Sequence, residues 1–133
     1  MQREVIITTE PIDEAALLHT RELNSEAGAV ITFLGVVRGS EAGQPIDSIE
    51  YEAFVPMAQH QFGLLLDQVA TRWPILSLRL VHRIGPVRAG EPSLWVEVRS
   101  GHRGEAFAAC QFLIDEMKRV VPIWKKPVQQ KVS

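Results

Sequence analysis

One cysteine, Cys110, is all the thiol chemistry this 133-residue chain holds. That excludes an intrachain disulfide and leaves no Cys pair with zinc-ligand spacing, so no metal is expected. Long apolar runs are missing as well. The longest, Ala29 to Val37, is nine residues with Thr32 and Gly35 counted as neutral, whereas a bilayer span needs ~20. Met1 to Glu10 carries charge at Arg3, Glu4 and Glu10 and lacks a signal peptide's apolar centre. A cytoplasmic protein that uses no membrane is the expectation. Excess positive charge is absent too: the formal net charge is −2. Without an aromatic-rich basic sheet motif either, nucleic acid is not an expected partner. There is no internal repeat, low-complexity tract or Pro/Ser-rich linker. Residues 1–133 are therefore expected to form a single domain, a length that suits one core. Walker A, G-x-G-x-x-G, G-x-S-x-G and H-E-x-x-H motifs do not occur.

What is present is the composition of a folded globular chain. Apolar residues make up 46%, too many for a wholly disordered one. The charge is uneven. Residues 1–98 hold 7 Lys and Arg against 13 Asp and Glu, and residues 99–133 hold 7 against 3. A basic C-terminal quarter on a mildly acidic protein suggests an anion held by a few aimed cations. A solvated basic helix face and tail is the equally open alternative.

Hydrophobic periodicity predicts a mixed order of elements. Val5 to Thr8 reads as a short strand. Asp13 is placed to cap a helix through about Leu23. Ala29 to Val37 reads as a central strand buried on both faces. Gly39 to Pro45 is a polar loop, and Ile49 to Phe54 alternates as a second strand that could pair with the first as a hairpin. Pro56 sits near the favoured first-turn position of a helix ending at about Arg72, which Trp73-Pro74 stops. Leu76 to Ile84 and Ser93 to Val98 alternate as strands around a Val87–Pro92 turn. A last helix from about Arg103 to Val120 buries Phe107, Cys110, Ile114, Met117 and Val121, and Ile123–Pro127 is too short for another. Antiparallel-looking strands interrupted by helices give the α+β class.

Several residues could carry chemistry. Ser100-Gly-His-Arg-Gly104 joins a strand to a helix, where free backbone N–H groups and the dipole favour an anion. There His102 could cap the helix or contact a ligand and Arg103 could clamp a phosphate; a solvated surface turn is the simpler reading of the segment taken alone. Lys118 lies on a polar stripe with Gln111 and Gly104. A catalytic role would need burial or cationic neighbours, and Arg119, Lys125 and Lys126 would supply them if the Pro122 turn folds back. Arg38 ends the apolar strand beside a Gly-containing loop, as functional residues on rigid scaffolds often do. A snorkelling edge arginine is the alternative for Arg38, Arg83 has the same two readings, and His82 is expected to be structural or a minor polar contact. Cys110, on a buried helix stripe, reads as an inert core residue.

Four segments together resemble the molybdopterin synthase catalytic subunit, the MoaE family. They are Gly28-Ala-Val-Ile-Thr-Phe-Leu-Gly-Val-Val-Arg38, Leu80-Val-His-Arg-Ile-Gly85, Gly90-Glu91 with Leu94–Val98, and Ser100-Gly-His-Arg-Gly-Glu-Ala-Phe-Ala-Ala-Cys-Gln-Phe-Leu-Ile-Asp-Glu-Met-Lys118 continuing to Val121-Pro-Ile-Trp-Lys-Lys126. The resemblance implies an α/β-hammerhead-type α+β fold with mostly antiparallel strands and about three helices. It implies a homodimer at the centre of a heterotetramer, with a ubiquitin-like sulfur carrier at each outer end. The carrier's C-terminal Gly-Gly thiocarboxylate would enter a pocket and deliver two sulfurs to cyclic pyranopterin monophosphate, forming the dithiolene of molybdopterin. Residue by residue, Lys118 and Lys125 match the family's catalytic lysines, and Arg38, His102 and Arg103 its substrate-anion ligands. No bound cofactor is implied. One departure is the tail: family members often continue with a Gly- and Trp-containing segment, whereas seven residues follow Lys126 here.

Overall fold

A computed structural model describes residues 1–130. Its elements are Gln2–Thr8 (β1), Glu14–His19 (α1), Ala29–Val36 (β2), Ser40–Glu41 (β3), Gln44–Ala53 (β4), Val55–Arg72 (α2), Ile75–Arg83 (β5), Gly85–Arg88 (β6), Pro92–Ser100 (β7), Arg103–Val120 (α3) and Ile123–Gln129 (β8). The α+β class and the three helices among the described residues agree with the sequence.

The first sheet has the order β1-β5-β7-β2, with β1 and β5 parallel and the other pairs antiparallel. Alternation along β7 explains its two faces. Leu94, Val96 and Val98 join Phe62, Leu66 and Val69 of α2 and Leu113 of α3 in the main core. Each such side chain contributes roughly 1.5–3 kcal/mol on burial. Trp95, Glu97 and Arg99 occupy the opposite face by the period-2 rule and are buried too, so β7 is nearly continuous in burial.

Local chemistry sets the helix ends. Asp13 accepts a hydrogen bond from the Ala16 N–H at 3.1 Å, capping α1. The helix stops at His19 rather than near Leu23, because the next residues turn onto the sheet. Thr20 Oγ1 accepts from Arg79 at 2.8 Å, and Arg21 Nε donates to Glu97 at 2.6 Å. Pro56 lies in the first turn of α2, and Trp73 adopts extended dihedrals before Pro74, ending it.

The second sheet contains β3, β4 and β6, with β8 also paired to β4. Ala42 and Gly43, both at positive φ (49° and 78°), make the two-residue turn between β3 and β4. Val37, Ile46, Ile49 and Val87 form a small second core, against which Tyr51 packs.

Four further expectations need correction. β2 is an edge strand, not a central one, and Phe33 and Val36 on it are exposed. Its second half is apolar because it lines a cavity. β4 does not pair with β2, which pairs with β7 instead; alternation reveals a strand but not its neighbour. Gly85–Arg88 and Ile123–Gln129 are strands, both drawn onto β4. The buried stripe of α3 is Ala106, Ala109, Cys110, Leu113 and Met117, while Phe107 is 57% exposed. Phe107 follows Ala106 by one position, about 100° around the helix from that stripe, and so faces outward.

Candidate active site

A cavity of about 560 Å³ opens where β2, the second sheet and the C-terminal end of α3 meet. That volume suits a small-molecule site. Its walls are largely apolar, with Phe33, Leu34 and Val36 from β2 and Ile114 and Met117 from α3. Three cations from three separate elements border it. Arg38 follows β2, Lys118 lies in the last turn of α3 and Lys125 is on β8. Pro122 ends α3 and lets the chain reverse along β4, which brings Lys125 back towards Lys118. All three side chains are exposed. Lys125 Nζ lies 3.2 Å from a Glu41 carboxylate oxygen, whereas Arg38 and Lys118 have no ion-pair partner among the described residues. Three cations and one carboxylate around a low-dielectric cleft make a positive opening suited to an anion.

Deeper in, the lining becomes neutral and polar. Tyr51 stands opposite Lys125 in the β4–β8 ladder. Its hydroxyl donates to Ser93 Oγ at 3.3 Å, and its ring meets the His82 ring edge-on at 5.2 Å. His82 and Ser93 are both buried. His82 Nδ1 donates to the Arg83 carbonyl at 2.8 Å. Burial pushes the His82 pKa below its ordinary value despite that hydrogen bond, so the ring is neutral at pH 7 and Nε2 is an acceptor. The sequence reading took His82 as structural or a minor polar contact and passed over Tyr51 and Ser93. Only their shared position on strands facing one cleft identifies them, and strand pairing was not legible.

His102 and Arg103 do not line this cavity. They sit exposed at the opposite end of α3, whose 18 residues span roughly 27 Å at ~1.5 Å per residue. A rigid helix therefore keeps them away from Lys118 of the same chain. Neither caps through its side chain, but the turn holding them is fixed. Gly28 N–H donates to Ser100 O at 3.0 Å, and a Cβ on Gly28 would lie 2.2 Å from Gly101 O, so only glycine fits there. Arg83 lies 3.6 Å from Glu91 and does not line the cavity. Cys110 is buried in the core, which pushes its thiol pKa up; it is not a poised nucleophile. The last residues of the short tail, 131–133, lie outside those described. No helix among the described residues is long and apolar enough to cross a membrane.

The family model described as MoaE protein matches residues 7–120. The molybdopterin synthase catalytic subunit of Staphylococcus carnosus (strain TM300) is 39% identical over 122 residues, covering 92% of this chain and 81% of that protein. The X-ray structure of molybdopterin synthase from Staphylococcus aureus superposes with a TM-score of 0.84 at 34% identity, covering 97% of this chain and 92% of that one. A complex of subunits 1 and 2 of the molybdopterin-converting factor from Helicobacter pylori 26695 has the same fold, with a TM-score of 0.71 at 20% identity over 97% and 90% of the two chains.

Proposed function

The chain belongs to the MoaE family of molybdopterin synthase catalytic subunits, and from that premise we propose that it transfers sulfur to cyclic pyranopterin monophosphate. The observation that carries the reading is the set of Arg38, Lys118 and Lys125 around one cavity. A thiocarboxylated, ubiquitin-like carrier supplies the sulfur, which leaves no reaction for the buried Cys110. In each of two rounds the thiocarboxylate sulfur forms a C–S bond to a side-chain carbon of the pterin as a C–O bond at that carbon breaks. The oxygen leaves with the phosphate as its ring opens in one round and as water in the other, so the carrier is held for a moment as a thioester. Water then replaces the lost sulfur on the carrier, which departs as a carboxylate. Lys118 polarises the thiocarboxylate carbonyl, while Lys125 and Arg38 hold the phosphate as its ring opens. Fixed donors of this kind contribute roughly 3–4 kcal/mol to a transition state.

His102 and Arg103 reach such a pocket only from a second copy of the chain, because α3 separates them from their own. A homodimer with shared sites, carrying one sulfur carrier at each outer end, follows from this reading. That the Helicobacter pylori neighbour is a complex of subunits 1 and 2 supports a small second component. One domain over residues 1–133 acting in the cytoplasm completes the proposal.

The test is one reaction in vitro. The purified chain is mixed with thiocarboxylated carrier and cyclic pyranopterin monophosphate, and molybdopterin is detected as its fluorescent oxidised derivative. Product that depends on the chain is expected. A confirmed chain–carrier complex that yields none would sink the catalytic reading in favour of a non-catalytic binding module. Co-assembled Lys118→Ala and Arg103→Ala copies, each inactive alone, should recover about a quarter of wild-type turnover if sites are shared across a two-fold axis.

A further inference from the structure

We propose that Tyr51, His82 and Ser93 form a recognition subsite for the neutral ring of the substrate, distinct in chemistry from the cations that hold its phosphate. The inference rests on the pterin-phosphate reading above and gives that ligand an orientation.

Exposure falls along one path into the cavity. Lys125 is half exposed, its cross-strand neighbour Tyr51 is partly buried, and Ser93 and His82 are 7% and 5% exposed. Polar groups this deep are normally satisfied within the protein. Here they are satisfied only in part. Tyr51 donates its proton to Ser93, which leaves the Ser93 hydroxyl proton and the Tyr51 oxygen lone pairs available. His82 spends Nδ1–H on the Arg83 carbonyl, and its Nε2 has no partner among the described residues. The subsite thus offers two acceptors and one donor, none of them charged, in an otherwise apolar wall. A carboxylate or phosphate gains little from such a set. A planar heterocycle carrying both N–H donors and carbonyl or ring-nitrogen acceptors matches it, with the phosphate turned towards Arg38, Lys118 and Lys125.

Calorimetric titration of the chain with cyclic pyranopterin monophosphate tests this without requiring turnover. His82→Asn keeps a donor near the Nδ1 position and loses the Nε2 acceptor. It should weaken binding about tenfold, the scale of a buried partner left unpaired. His82→Gln restores an acceptor near Nε2 and should recover most of that loss, which a merely structural histidine would not predict. Tyr51→Phe and Ser93→Ala should each weaken binding about fivefold, and they carry the test if the His82 variants fold poorly. In turnover assays the loss should appear in KM with kcat little changed, and carrier affinity should stay at the wild-type value. Wild-type pterin affinity in His82→Asn, or in both hydroxyl variants, overturns the proposal. So does a loss confined to carrier affinity. Should the wild type bind the pterin phosphate, and His82→Asn bind it weakly, while no sulfur is transferred, the subsite stands and the parent catalytic reading falls.

Discussion

Two clusters of charge in this molecule follow opposite rules. On the face of the first sheet away from α2 and α3, Glu97 is 1% exposed and receives hydrogen bonds from Arg21 at 2.6 Å and from Arg79 at 3.0 and 3.1 Å. Arg79 is further tied to Thr20, to the Leu17 carbonyl and over the Trp95 ring at 4.9 Å. Burial alone would raise the Glu97 pKa, but the two guanidinium groups outweigh it and hold the carboxyl below its ordinary value. Around the cavity, by contrast, Arg38 and Lys118 are exposed and unpaired among the described residues. Paired, buried charge fixes where α1 and the following residues lie on the sheet. Convergent, unpaired charge does nothing for the fold and leaves its electrostatic capacity for a ligand. Stability and activity should therefore respond to different charges.

The largest expected effect lies in the paired cluster. Glu97→Gln leaves two arginines without their carboxylate, and breaking a buried ion pair from one side costs about 3–5 kcal/mol. Urea unfolding should show that loss, with turnover per folded molecule unchanged at low temperature. A loss under ~1 kcal/mol would mean that the cluster is bystander charge. Lys118→Ala is the converse. It should lower turnover about 100-fold or more while moving the urea midpoint little, since the side chain makes no hydrogen bond within the described structure. Near-wild-type turnover would remove Lys118 from the mechanism and blur the contrast between the clusters.

Acid should expose the same division. Glu97 has a folded pKa below its ordinary value of 4.5, so its contribution is complete above that value and is lost as pH falls from there through the lower folded value. His82 is also held below its ordinary 6.5, chiefly by burial. The unfolded chain therefore binds its proton first, and stability begins to fall below about pH 6.5. Thermal melts from pH 8 down to about pH 2 should show two successive declines. His82→Asn should remove the upper one, and Glu97→Gln the lower. A melting temperature independent of pH over that range would refute both assignments.

How legible was each cluster in the sequence? Lys118 and Lys125 could be named because the helix periodicity of Arg103–Val120 and the break at Pro122 are local signals, and the segment resemblance gave them roles. Arg38 was legible as the end of an apolar strand. The Glu97 cluster was not, because it joins residues 76 and 18 positions apart through a register that alternation cannot specify. The same limit hid the neutral subsite: Tyr51, His82 and Ser93 meet only because β4, β5 and β7 bring them together. It also made β2 look central, since an edge strand lining an apolar cleft carries the same residues as one sealed in a core. His102 and Arg103 mark a further boundary. Their motif was readable, yet the length of α3 alone keeps them out of their own chain's cavity.

The smallest effect sharpens the comparison most, because it concerns the one carboxylate in the unpaired cluster. Glu41 and Lys125 lie 3.2 Å apart with side chains 21% and 55% exposed, the geometry of a surface pair. Such pairs contribute at most about 1 kcal/mol. Glu41→Gln should accordingly change stability by less than about 0.5 kcal/mol, against several for Glu97→Gln. It also removes a negative charge from the cavity opening. If Lys125 serves only as a positive charge for the phosphate, KM for the pterin phosphate should fall by about twofold at low salt, and the difference should shrink as salt is added. A severalfold rise in KM would show instead that Glu41 aims Lys125. The cavity would then contain a held cation, built on the rule that governs Glu97, and the separation between structural and ligand-directed charge would fail at that residue.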